Sequence, residues 1–291
     1  MSMLAAARAY VAAGLSVIPL ECGSKHPDHN LLALTTGQSE NYWAPEDHRA
    51  AWRVYTTRQP TDAELVTWFA GSDAGVGIVG GAVSGGLVRL DLEHSFCLPT
   101  WWRLLRDDAQ AAATVVQLPI VATPKGAHVY FRMADPPGHD LLCSAGSGNE
   151  LLVLSETQGE GCYCVAPPSH LKVYDESLRD LIRLPYVVTN GSLTAIPTLD
   201  SHLAGRLLEA ARFPGLWSFR LRDMTGSEAR LHRGGITLER TVGGYHESWH
   251  LSWEVLHDLR VYLDRYSALL QAVETAPPPP PSYIDETYDD S

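Results

Sequence analysis

Short apolar segments that are rich in β-branched residues and bounded by glycines recur through the first two-thirds of the chain. The clearest are residues 75–79 and 86–92, which have the length and composition of strands buried inside a sheet. Helical spacing opens the chain at residues 2–14, and Thr61 is a good N-cap for a short helix over 61–70. This pattern predicts a mixed α+β domain built from short strands.

The remaining patterns divide the chain into three parts. A helix is predicted over 99–113, and further strands are predicted at residues 15–20, 115–117, 127–133, 150–154 and 162–166. After residue 187, helical periodicity at 203–212 and 249–275 predicts a helix-rich accessory region over 188–275 that follows a domain at 1–187. Residues 276–291 contain five consecutive prolines and then acids and tyrosines, which predicts a disordered tail or a linker.

Composition limits the compartment and the partners. Of the 291 residues 45% are hydrophobic, enough for a sizeable core, but the apolar stretches are broken by Gly and Pro before they reach the roughly 20 residues of a membrane helix. With no signal-peptide pattern and five scattered cysteines, the sequence predicts a cytoplasmic protein without a disulfide framework. The net charge of −12 disfavours binding to duplex DNA through a general basic coat.

An Asp-x-Glu pair at the end of a predicted strand is the most informative short segment. Asp91 and Glu93 are two residues apart, so their side chains lie on the same face of the strand. Two adjacent carboxylates repel each other unless a cation lies between them, and Mg²⁺ is typically held by one or two carboxylates together with substrate phosphates. The pair therefore indicates a metal site, although a solvated strand face would show the same spacing.

Two further segments place polar side chains beside glycine turns. A turn at Gly126 brings His128 to the start of a strand, where it could contact a phosphate or a metal, or fill a structural role. Glu156 ends an apolar strand, and Gly159 and Gly161 predict a hairpin turn into the next strand. Glu156 is thus a third acid beside a turn.

Taken together and in this order, these segments resemble the bifunctional DNA primase/polymerase (prim-pol) domain of the archaeo-eukaryotic primase superfamily, found in plasmid and phage replication proteins. The resemblance covers roughly residues 4–175. It rests on four stretches in register, which are residues 14–27 with Lys25 and Pro27, residues 77–93, residues 123–131 and residues 156–169. It implies an α+β fold with mixed short-stranded sheets and an RRM-like catalytic core, followed by a small helix-rich C-terminal accessory region.

The resemblance also implies roles for individual residues. Asp91 and Glu93 would bind the catalytic Mg²⁺ or Mn²⁺, Glu156 would be the third acidic ligand, and His128 would contact the triphosphate of an incoming NTP or dNTP. The implied function is DNA primase or polymerase activity on a single-stranded template or primer, in the cytoplasm of a bacterial host. A helicase is often the next module in this family, and the polyproline run predicts that the natural chain continues.

The chemistry of the residues allows three functions. Clustered carboxylates suit two-metal nucleotidyl transfer, but they would equally serve a metal-dependent phosphoesterase or nuclease, since hydrolysis uses water in place of a hydroxyl. A third alternative is an inactive nucleic-acid or nucleotide-binding module. His128, with Lys125 and Arg132 nearby in sequence, would add positive charge where a triphosphate lies, which favours nucleotidyl transfer. Five arginines between residues 220 and 240 make the accessory region a candidate for template binding.

Two other patterns favour packing over ligand binding. The spacings of His94 with Cys97 and of His139 with Cys143 would suit a structural Zn²⁺, but the two pairs lie far apart and we do not expect zinc. The tryptophans could provide a base-stacking platform, but core packing is favoured for each of them: Trp43, Trp52, Trp68, Trp101 and Trp102.

Overall fold

The structure of the chain is a computed structural model that describes residues 2–37, 51–145, 152–175 and 179–213, and the backbone of four strands between 220 and 252. The backbone divides into two compact units, Met1–Trp217 and Ser218–Ser291. None of the helices described is long and apolar enough to cross a membrane.

The first unit is a mixed α+β structure, as the sequence predicts. Its helices are α1 (Met3–Ala12), α2 (His29–Thr36), α3 (Asp62–Phe69), α4 (Cys97–Leu105), α5 (Ala109–Val115) and α6 (Ser201–Ala211). Its strands are β1 (Ser16–Leu20), β2 (Gly75–Val79), β3 (Leu87–Leu92), β4 (Ile120–Ala122), β5 (Ala127–Arg132), β6 (His139–Ala145), β7 (Leu152–Gln158), β8 (Tyr163–Ala166), β9 (His170–Asp175), β10 (Asp180–Pro185) and β11 (Val187–Asn190).

These strands form three antiparallel sheets. The order is β1-β2-β8 in a three-stranded sheet and β11-β4-β5-β3-β7-β6 in a six-stranded sheet, while β9 and β10 form a separate pair. Every residue of β2 and of β3 is buried, and each of these strands lies between two neighbouring strands. Pro19 lies in β1, an edge strand, where its missing N–H removes no bond from the interior of the sheet.

Helix caps explain where the structure departs from the predicted pattern in the region 99–117. The predicted helix is two helices, α4 and α5, since the side chain of Asp108 accepts hydrogen bonds from the N–H groups of Gln110 and Ala111 and starts a new helix. The strand predicted at 115–117 is wrong. The alanine-rich helix α5, capped by Asp108, continues to the β-branched residue Val115. The next strand, β4, begins only after Pro119.

The turn after β7 changes sheets and does not form the predicted hairpin. β7 pairs with β3 and β6, whereas β8 pairs with β2 in the other sheet. The turn passes close to other backbone, because a Cβ at Gly159 would lie 2.2 Å from the carbonyl oxygen of Pro137. Glycine is therefore required here for close approach, which the sequence does not distinguish from a hairpin turn.

The described part of the second unit contains strands where the sequence predicts a helix-rich region. They form an antiparallel sheet in sequential order, which is β12 (Arg220–Arg222), β13 (Glu228–His232), β14 (Gly235–Val242) and β15 (Tyr245–Ser252). The helix predicted from Trp249 is wrong over its first four residues, which belong to β15. Apolar and polar residues alternate only over 249–252, which is compatible with a strand but too short a pattern to exclude a helix. Residues 253–291, including the predicted tail, lie outside the described residues.

Helix α6, predicted at 203–212, is confirmed and packs within the first unit. Trp101 Nε1 donates to the carbonyl oxygen of Leu207, and Ser155 Oγ donates to that of Ala211. Arg206 pairs with Asp108 at the start of α5. The side chains of β7, α4 and α5 therefore hold α6 in place.

Glu64 in α3 provides a test of the fold that is independent of the predicted site residues. Burial opposes ionisation of Glu64, but hydrogen bonds from Arg58, from the N–H of Thr61 and from Tyr55 outweigh it and lower its pKa to about 2. Glu64→Gln should lower the free energy of unfolding at pH 7 by about 1–2 kcal/mol, since hydrogen bonds to charged groups are strong but Arg58 is partly exposed to solvent.

The pH dependence of this effect has a definite sign. The pKa of Glu64 in the folded protein lies below its unfolded value of 4.5, so the ionised carboxylate stabilises the fold at pH values above 4.5. This stabilisation is lost as the pH falls from 4.5 to about 2. Urea unfolding at several pH values measures it, with Asp62→Asn at the exposed Arg8–Asp62 pair as the control that should change little. A difference between wild type and Glu64→Gln that does not shrink on acidification would contradict this account.

Candidate active site

The central strand β3 brings the predicted acidic residues together. Asp91 pairs directly with His128 on β5 and with Glu156 on β7. Two residues earlier on the same face, Arg89 pairs with Tyr130 and with Gln158. Two adjacent cross-strand rows of polar side chains thus lie at the middle of the six-stranded sheet.

Asp91, Glu93 and Glu156 form a carboxylate cluster, with one oxygen from each lying within 4.8 Å of the other two. Burial raises the pKa of Asp91 to about 6; Arg89 opposes the shift, while Glu93 and Glu156 add to it. An all-oxygen set of three carboxylates fits a hard divalent cation such as Mg²⁺ or Mn²⁺. Asp91 and its neighbours would be relieved of mutual repulsion by such an ion.

Arg89 is a site residue that our sequence reasoning missed. Its guanidinium is 7% exposed, with Nη2 3.1 Å from Asp91 Oδ2 and Nη1 3.1 Å from His128 Nε2. Its Nε is buried with no hydrogen-bond partner among the described residues. The signal was available, because Arg89 lies two residues before Asp91 on one strand and the two side chains therefore share a face.

His128 is buried under the cleft as a neutral ring. Burial lowers its pKa well below the usual value, and the nearby charges of Arg89 and Lys25 lower it further. Since a guanidinium only donates, His128 Nε2 accepts from Arg89, which leaves Nδ1–H to donate to Tyr130 Oη at 3.0 Å. His128 thus contributes hydrogen bonds to the site and no positive charge.

The turn between β4 and β5 packs tightly against the end of β3. A Cβ on Gly126 would lie 1.9 Å from the carbonyl oxygen of Leu92 and 2.7 Å from the carbonyl carbon of Glu93. Only glycine permits this approach. Gly126 therefore fixes the backbone beside Glu93 as well as leading into the strand that carries His128.

The carboxylate cluster lies in a cleft of about 380 Å³ between the six-stranded and three-stranded sheets. Lys25 lines this cleft together with Arg89, so two cationic side chains face the acids. Aromatic side chains form another part of the wall, where Trp52 contacts Tyr163 edge-on at 4.8 Å between ring centroids. Trp68 and Trp101 are fully buried, as expected for core residues, and Trp52 is buried at the wall of the cleft. The expectation of core packing is wrong for Trp102, which is exposed, and Trp43 lies outside the described residues.

Lys125 and Arg132 do not line the cleft. Lys125 is exposed in the turn before β5. Arg132 lies four residues beyond His128, about 13 Å along the strand, and donates to the carbonyl oxygen of Ala13. The cationic side chains beside the acids are instead Lys25 and Arg89.

The two histidine and cysteine pairs considered for zinc do not form a cluster of metal ligands among the described residues. His139 contacts Glu156, and Cys143 is buried on the same strand. Within the described ranges the acidic cluster is the one group of three or more His, Cys, Asp or Glu side chains close enough to share an ion.

A comparison with protein-family models matches residues 7–187 to the family described as bifunctional DNA primase/polymerase, N-terminal. The match covers more than half of the chain, and the chain therefore belongs to the Prim-Pol family. Membership implies an enzyme of the nucleotidyltransferase type, with DNA and nucleotides as substrates. No curated protein matches the chain.

Proposed function

We propose that this cleft carries out template-directed nucleotidyl transfer, as a primase or DNA polymerase in plasmid or phage replication. The observation that supports this most is the convergence of Asp91, Glu93 and Glu156 within 4.8 Å at the floor of a cleft that also holds two cationic side chains. A cleft lined by clustered acids and by neighbouring cations can hold both a divalent ion and a triphosphate.

Asp91, Glu93 and Glu156 would hold Mg²⁺ or Mn²⁺. A divalent cation bound there would help to deprotonate the attacking hydroxyl and would neutralise charge on the reacting phosphate. The role of the protein is to fix three oxygen ligands: Asp91 on β3 and Glu156 on β7, where strand pairing limits their movement, and Glu93 directly after β3. The buried pair of Arg89 with Asp91 keeps one of these carboxylates oriented.

Lys25 and Arg89 would bind the triphosphate of the incoming NTP or dNTP. Both line the cleft beside the carboxylates, and the contacts of Arg89 with Asp91 and His128 use only part of its five N–H donors. His128 would act by supporting Arg89, because its Nε2 accepts a hydrogen bond from that guanidinium. Lys125, exposed in the neighbouring turn, would contribute at most long-range attraction.

The reaction forms a bond between the 3′-oxygen of the primer and the α-phosphorus of the incoming nucleotide. It breaks the bond from that phosphorus to the oxygen that bridges the α- and β-phosphates. Pyrophosphate leaves, and the hydroxyl proton passes to solvent. Positive charge from Lys25 and Arg89 would stabilise the charge that develops on the leaving group. Trp52 and Tyr163 give the cleft an aromatic wall suited to a base.

The test is an assay of the full chain on primed and unprimed single-stranded DNA with labelled nucleotides and Mg²⁺ or Mn²⁺. Primer extension or new synthesis supports the proposal. Degradation of the DNA would identify a phosphoesterase or nuclease, and binding without either reaction would identify an inactive module. Parallel reactions with ribonucleotides and deoxyribonucleotides define the substrate.

A further inference from the structure

Two neighbouring side chains hold the carboxylate of Glu156. His139 Nε2 lies 2.8 Å from Oε2, and Gln158 Nε2 donates to Oε1 at 2.6 Å. A carboxylate can only accept, so the imidazole donates through Nε2–H. Both oxygens of Glu156 therefore have a donor, which fixes the rotation of the carboxyl group.

Strand register accounts for this arrangement. His139 on β6 pairs with Gln158 on β7, and Gln158 follows Glu156 by two residues on the same face. All three side chains line the cleft. The imidazole is 59% exposed at the edge of the sheet, whereas the Glu156 side chain is 12% exposed.

Glu156 needs such a restraint because of where it lies. Its carboxylate is close to those of Asp91 and Glu93, and like charges at this separation repel each other. A glutamate has three side-chain torsions, so an unrestrained Glu156 could turn away from the cluster. Two of its about four lone-pair positions accept from His139 and Gln158, which leaves the others for a cation.

We propose that His139 and Gln158 are positioning residues that orient Glu156 for binding a divalent cation. This inference rests on the proposed function only in taking Glu156 as a metal ligand. Hydrogen-bond partners behind metal ligands typically change metal affinity by about 10- to 100-fold when they are removed. The exposed histidine is thus assigned to the metal site through Glu156 and not to direct contact with the substrate.

Three variants separate this role from others. His139→Ala removes the donor, and His139→Gln restores an N–H near the position of Nε2. His202→Ala removes an exposed histidine on α6, outside the cleft, and is the matched control. Circular dichroism verifies that each full-length variant is folded.

The primary measurement is a titration with Mn²⁺ alone, followed by the electron paramagnetic resonance signal of free Mn²⁺. His139→Ala should bind Mn²⁺ about 10- to 100-fold more weakly than wild type, His139→Gln should recover most of the loss, and His202→Ala should match wild type. In primer extension, excess Mn²⁺ should restore kcat of His139→Ala while the nucleotide KM stays unchanged.

Equal Mn²⁺ affinity of His139→Ala and wild type would overturn the proposal, as would a raised nucleotide KM at unchanged Mn²⁺ affinity, which would indicate direct substrate contact. A further variant, Glu156→Gln, separates the two proposals. If wild type binds Mn²⁺, Glu156→Gln does not and His139→Ala does so normally, the positioning role fails while the metal site stands. If wild type binds no Mn²⁺, both proposals fail.

Discussion

Glu93→Gln should lower the rate of nucleotide incorporation by about a thousandfold, because a bound metal stabilises the transition state by several kcal/mol and each 1.36 kcal/mol is a factor of ten. The substitution preserves the shape of the side chain and removes one of three clustered charges. We expect the same loss for Asp91→Asn.

The two variants should differ in stability. Glu93 raises the pKa of the buried Asp91, so removing its charge relieves repulsion in the metal-free protein, and the melting temperature of Glu93→Gln should equal or exceed that of wild type. Asp91 also neutralises Arg89, so Asp91→Asn leaves a buried cation with a weaker partner and should lower the melting temperature.

Primer extension and thermal melting in chelator measure the two effects. Glu209→Gln, which alters an exposed ion pair with Arg212 on α6, is the control and should leave both unchanged. Extension by Glu93→Gln at a rate near that of wild type would show that this carboxylate is no metal ligand.

Arg89→Met should have the second large effect. It removes the cationic partner of Asp91 and the hydrogen-bond donor to His128, all three of which are almost fully buried. Removing one partner of a buried ion pair costs about 3–5 kcal/mol, so the free energy of unfolding should fall by at least about 3 kcal/mol. Loss of a charged phosphate contact should also raise the nucleotide KM by about ten- to a hundredfold.

Arg89→Lys separates charge from geometry. A lysine keeps the positive charge but cannot reach Asp91 and His128 together with a planar fork, so it should recover part of the nucleotide KM and little of the stability. Urea unfolding measures the free energy of unfolding, and nucleotide titration of primer extension measures the nucleotide KM. Unchanged stability of Arg89→Met would show that the buried pair has no net effect on folding, and an unchanged KM would remove Arg89 from the triphosphate site.

The acidic cluster could be predicted in part from local sequence. Asp91 and Glu93 lie two apart at the end of one strand, whereas Glu156 is assigned from its place in a family motif and reaches them through the pairing of β7 with β3. The structure brings the three together, while their catalytic role stays a proposal. The cationic residues are a different case. Lys125 and Arg132 are near His128 in sequence, but the strand carries Arg132 away from the cleft, and Lys25 reaches it from a distant loop.

Long-range pairing also explains the errors in the fold. The glycine turn after β7 has the sequence of a hairpin, but the partners of β8 are determined by β2, nearly ninety residues earlier. At Trp249, apolar spacing suits both a helix and a strand, and pairing with β14 decides it. The segments predicted correctly, such as α3 with its Thr61 cap, have their determinants within a few residues.

Single-nucleotide incorporation opposite each of the four template bases tests the central claim most directly. On a primed single-stranded template with Mg²⁺ or Mn²⁺, wild type should add the complementary nucleotide in preference to the other three in every case, and Glu93→Gln should add none above background. Addition that does not depend on the template base, or equal addition by Glu93→Gln, would contradict template-directed nucleotidyl transfer at the Asp91, Glu93 and Glu156 cluster.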